Sequence, residues 1–137
     1  MAQIRCVALA VVACAISASA FGDDVTVLPA DEPAEVNGIK LACTGVGDDA
    51  KNDPRWRAYA MRMEFANAQA EYVSDVVVSV TKDGETLFKV RCDSPWVLAD
   101  LEAGKYEVTA TFDGSTKTQK FSAPKTGQTR LVVRFPR

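Results

Sequence analysis

The chain contains no histidine, so Ser-His and Cys-His nucleophiles and every zinc site built on imidazole fall outside its chemistry. Neither a Walker loop nor a dinucleotide fingerprint occurs. Paired carboxylates remain, because glycoside hydrolysis needs only two. The candidates are Asp48, Asp49 and Asp53, or Asp75 with Asp93. Asp48 and Asp53 read better as helix caps, and Asp93 as the turn residue before Ser94. Calcium at Asp23-Asp24 or Asp48-Asp49 lacks the alternating ligand spacing of a recognised loop. The residues therefore predict no catalytic group, no metal and no cofactor. They offer two features for binding. Lys120, Arg130, Arg134 and Arg137 form a basic strip if they share the outer face of a last hairpin. Trp56 and Trp96 could make an aromatic contact, although core packing accounts for both, with Trp96 set near a disulfide.

The cysteines and the first twenty residues set the compartment. Arg5 precedes an uncharged apolar stretch, Cys6–Ile16, and Ala18-Ser19-Ala20 supplies the small residues of a signal-peptidase site. The stretch is about half the roughly 20 residues that span a bilayer, and no later segment qualifies. Residues 1–20 are thus expected to be a signal peptide. Val11-Val12-Ala13-Cys14 offers a second reading, a lipid anchor on Cys14, and both readings predict export. Once this segment leaves, Cys43 and Cys92 remain as an even pair, which an oxidising compartment turns into a disulfide. No C-x-x-C spacing suggests redox activity.

Without Arg5, 15 basic residues face 18 acidic ones, a near balance that predicts no nucleic-acid binding. The distribution is uneven. Residues 21–54 hold eight acids and two lysines, whereas residues 114–137 hold six basic residues and no acid.

These side chains must be positioned by strands. Residues 21–37, with Pro29, Pro33 and five acids, read as a loose acidic leader, extended or mobile, with a short edge strand at Val25–Leu28. The folded domain is expected over 38–137. Ile39, Leu41 and Cys43 alternate on one face; a short helix follows around Asp49–Arg57, and Tyr59, Met61, Met63 and Phe65 alternate as a strand after it, although Trp56, Tyr59, Met63 and Ala66 also fit a longer helical stripe. From Val76 the pattern is all β, with turns at Asp83-Gly84, Asp93-Ser94-Pro95, Ala103-Gly104 and Asp113-Gly114. Seven or eight short strands, each apolar on one side, need a second sheet to cover them. An all-β, antiparallel sandwich is the expected fold class.

Between Tyr72 and Ala123 several groups form a pattern. Val76-x-Val78-x-Val80, Asp83-Gly84, Val90, Cys92-Asp93-Ser94-Pro95-Trp96-x-Leu98 and Leu101-x-x-Gly104-x-Tyr106-x-Val108-x-Ala110 resemble the carboxypeptidase regulatory-like (transthyretin-like) sandwich domains. Ala103 stands where that group usually has proline. Ala42-Cys43-x-Gly45-Val46-Gly47 and Met63-x-Phe65-Ala66 look like small exported bacterial proteins of the same group, whose paired cysteines match Cys43 and Cys92. The resemblance covers about 80 residues, and its motifs are structural. It implies an immunoglobulin-like or transthyretin-like fold and supports the disulfide without implying an activity.

The expectation is a periplasmic or secreted accessory module that meets a protein or an anionic envelope component through its surface. Strand addition to an exposed edge is one mode. A structural subunit or lipoprotein component of an envelope assembly is the alternative, and a carboxylate-pair hydrolase the remote one.

Overall fold

The computed structural model describes residues 24–136; the signal-peptide reading of 1–20, the anchor reading of Cys14 and the place of Arg137 lie outside them. Ten strands follow one another: β1 Thr26–Leu28, β2 Ala34–Val36, β3 Ile39–Thr44, β4 Met61–Ala66, β5 Val76–Lys82, β6 Glu85–Cys92, β7 Trp96–Ala99, β8 Gly104–Phe112, β9 Ser115–Ala123 and β10 Thr129–Arg134. A single turn of helix, α1 Asp48–Lys51, and a 3-10 helix, Pro54–Ala58, interrupt them between β3 and β4.

The strands form two five-stranded sheets, sheet A in the order β1-β6-β5-β8-β9 and sheet B in the order β10-β4-β7-β3-β2. Period-two alternation explains why they pack. Val76, Val78 and Val80 of β5, Phe88 and Val90 of β6, and Tyr106, Val108 and Ala110 of β8 meet Leu41, Met61, Met63, Phe65, Val97 and Val133 of sheet B in one core. Cys43 on β3 and Cys92 on β6 are bonded, with Cα atoms 5.7 Å apart. The bridge therefore ties sheet B to sheet A through the core.

The sandwich agrees with the sequence patterning, but its details differ in three ways. In the described part of the leader the expected edge strand is present, Thr26–Leu28 pairing in parallel with Val90–Cys92, and an unexpected second strand follows it, Ala34–Val36 pairing with Ile39–Leu41. Leu28 enters the core, and Ala34 and Val36 pack against it. Three apolar anchors hold a segment whose composition alone suggests mobility. Secondly, the described residues form ten strands, and two strand pairings are parallel, because β10 also runs parallel to β4. Thirdly, the expected helix splits. Asp53 accepts the amide of Arg55 at 2.9 Å and, with Pro54, starts a second, 3-10 turn. Asp48 is the first helical residue and makes no cap; Gly47 precedes it.

Candidate functional site

The two outer faces are unlike. On sheet B, alternation turns Ala42 and Thr44 of β3, Trp96 and Leu98 of β7, Arg62 and Glu64 of β4, and Arg130, Val132 and Arg134 of β10 away from the core. Part of this face is roofed. Trp56 and Tyr59 pack on Ala42 and Leu98 as a second small core. Gln128 donates to the carbonyls of Trp56 and Tyr59 at 2.7 and 3.0 Å, which fixes the chain just before β10. The segment 67–75 folds back, making an isolated bridge between Tyr72 and Ala66.

Beneath that segment Glu64 is fully buried. A buried carboxylate is tolerable only when paired and hydrogen-bonded. Arg130 reaches it from the neighbouring strand as a two-pronged clamp, Nε to Oε2 at 2.8 Å and Nη2 to Oε1 at 2.9 Å. The Tyr72 hydroxyl donates to Oε1 at 2.9 Å. Arg62 Nε lies 2.8 Å from Oε2 but is not aligned to donate and has no hydrogen-bond partner. Its guanidinium lies over Trp96, 4.4 Å from the ring centre, and Tyr72 meets the same ring edge-on at 6.3 Å. Lys51 Nζ sits 5.2 Å above the Tyr72 ring.

Burial pushes the Glu64 carboxyl up, but the hydrogen bonds from Arg130 and Tyr72 and the charges of Arg62 and Arg130 outweigh it and hold the group below its usual range. The same carboxylate raises Arg130. Glu64 is therefore an anion locked in place, occupied by its partners and unsuited to proton transfer. Its role is positional. Two guanidiniums share one negative charge, so the cluster keeps a positive surplus. Arg130 remains more than half exposed, at 55% of its side chain.

The sequence-predicted strip is divided by this geometry. Arg130 and Arg134 do share the outer face of sheet B. Lys120 does not: it lies on β9, paired with Glu107, on the outer face of sheet A. β9 and β10 are edges of different sheets, so the last two strands form no hairpin. Arg62 takes the place beside Arg130 that the strip had given to Lys120, since the parallel register sets Arg130 opposite Arg62. Trp56 is buried at 3% exposure under the Arg55 guanidinium, 4.5 Å from its ring, and offers a ligand no open face. Trp96 is buried too, but it lies on the outer side of β7, the face opposite to that of Cys43. Gly45 makes room for it: with φ at +110°, a Cβ there would stand 2.7 Å from the indole.

The candidate acids fall in two groups. Asp53 is engaged with Arg55, and Asp48 and Asp49 lie on the exposed turn of α1. Asp75 and Asp93 come to the same end of β5 and β6, where the Asp75 amide donates to the Cys92 carbonyl at 2.9 Å. Both are exposed. Among the described residues no group of three or more acids and cysteines could hold a metal ion, and no helix is long and apolar enough to cross a membrane.

Sequence reasoning passed over Glu64, Arg62 and Tyr72. A signal was present: Arg62-x-Glu64 occupies the polar side of an otherwise apolar strand, where a second buried layer needs an explanation for each charge. No family model and no curated protein matches the chain.

Proposed function

We propose that this chain is an exported, non-catalytic binding module of the periplasm or the extracellular medium, acting through the outer face of sheet B. The observation that carries the reading is the surplus of positive charge around Glu64. One buried carboxylate orients two guanidiniums, Arg134 extends the row, and Tyr72 adds an aromatic rim at 42% exposure. Pre-positioned arginines recognise carboxylates and phosphates in fixed geometry. Their ligand is a protein or an anionic component of the cell envelope.

Export is supported by the signal-like residues 1–20 and by a disulfide, which persists in oxidising compartments. The resemblance to the regulatory-like sandwich domains is one of fold and implies no activity of its own. The test compares mature wild type with Arg134→Glu, a substitution away from the Glu64 contacts, on immobilised envelope fractions and on a polyuronate. Loss of retention at unchanged thermal stability is the expected result. Equal retention of the two proteins overturns the reading.

A further inference from the structure

We infer that β10 is a docking edge for an acidic, extended segment of a partner protein, which adds to sheet B as a sixth strand. The inference rests on the binding-module reading and gives it a partner class and a register. β10 is one of the two edge strands of sheet B. In a strand the amide and carbonyl of one residue point to the same side, and successive residues alternate. The amides of Thr129 and Phe135 bond to the carbonyls of Ala60 and Ala66, both at 2.8 Å, so the odd-numbered residues face β4. Arg130, Val132 and Arg134 consequently turn their amides and carbonyls outward. Among the described residues none of these groups has a hydrogen-bond partner.

The outward backbone and the cationic side chains belong to the same residues. Arg130 and Arg134 stand about 13 Å apart along the strand, four residues at roughly 3.3 Å each. An added strand would place its own residues about 4.8 Å beyond. Acids four positions apart would then meet the two guanidiniums. Between them, apolar residues would cover Leu131, which is only half-buried on the core side. Arg130 is already held in orientation by Glu64, so it needs little ordering on binding.

The other edges fit less well. β1 and β2 have three residues each. β9 has nine, but Thr116, Lys117, Thr118 and Lys120 along it are all exposed, so a strand added there buries little apolar surface. Lysine-rich, polar edges of this kind discourage pairing.

The probe is the end-blocked peptide Thr-Glu-Val-Thr-Val-Glu-Thr carrying a fluorophore, with binding read by anisotropy. Its comparators are the same peptide N-methylated at the amides that face β10, and an oligoglutamate of equal length. Val132→Pro removes one outward amide without touching the β4 ladder, a position where an edge strand tolerates proline. The expected result is binding of the parent peptide that falls at least about tenfold on N-methylation, in Val132→Pro and in Arg134→Glu, the loss of one good hydrogen bond or charge pair each. Equal binding of the parent and N-methylated peptides overturns the inference without requiring any protein variant. Oligoglutamate or polyuronate binding as tightly as the parent peptide, insensitive to Val132→Pro, also overturns it and leaves the broader binding function standing. A native-mass dimer that Val132→Pro dissolves assigns the edge to a second copy and overturns the acidic-partner assignment.

Discussion

Replacing Arg130 by methionine tests whether the Glu64 cluster holds the domain together as described. The substitution keeps the aliphatic stem and deletes both prongs on a carboxylate that has no contact with water. Glu64 keeps the Tyr72 hydroxyl at 2.9 Å and the unaligned Arg62 at 2.8 Å. A hydrogen bond to a charged group contributes about 1.5–3 kcal/mol, and removing one partner of a fully buried pair costs about 3–5 kcal/mol. Arg130 is more than half exposed, so solvent screens part of its attraction. The expected loss is about 2 kcal/mol, or roughly 10 °C in Tm for a domain of this size. Thermal unfolding followed by circular dichroism at neutral pH, with the disulfide intact, measures it. The reasoning makes a second, sharper demand. Glu64→Met added to Arg130→Met removes the stranded charge, so the double variant should recover about 1 kcal/mol or more over Arg130→Met alone. Simple additivity of the two losses, or a single variant within about 0.5 kcal/mol of wild type, refutes the account.

Four further outcomes follow from the same structure. The Glu64 carboxyl is held below its ordinary range, so its contribution is fully present above the unfolded carboxylate pKa and disappears as pH falls through the folded one; in Arg130→Met the acid loss of Tm should begin at a higher pH than in wild type. Tyr72→Phe should cost about 1 kcal/mol by removing one donor to Glu64, seen in urea titration as a lower midpoint with an unchanged slope. Cys43→Ala with Cys92→Ala opens a bridge with a sequence separation of 49, for which chain entropy gives a loss of about 4 kcal/mol, read from reversible denaturant unfolding. Gly45→Ala sets a methyl group against the Trp96 ring at a backbone angle that disfavours alanine; a loss of about 1–3 kcal/mol with a shifted tryptophan emission is expected.

The sandwich was legible because alternation is a local signal. Val76, Val78 and Val80, or Tyr106, Val108 and Ala110, declare an inner face without knowledge of any partner. The disulfide was legible from the number of cysteines and the export reading. What alternation cannot supply is the neighbour across a ladder. Thr129–Arg134 pairs with β4 rather than with β9, and nothing in its six residues distinguishes these choices. The strip was therefore drawn with Lys120 in it. Glu64 escaped notice for the same reason: the meaning of a charge on the polar side of a strand depends on Arg130, 66 residues away, and on the Tyr72 segment that closes over the carboxylate. In the leader the edge strand at Leu28 was legible, but composition averages over Ala34 and Val36, whose packing against the core holds a second strand among the acids.

The clamp on Glu64 also joins distant parts of the chain. Arg130 and Glu64 lie 66 residues apart, and the β4–β10 ladder that carries them is a long-range pairing, the class of contact whose closure costs the most chain entropy. One ion pair thereby couples the middle of the sequence to the last described strand.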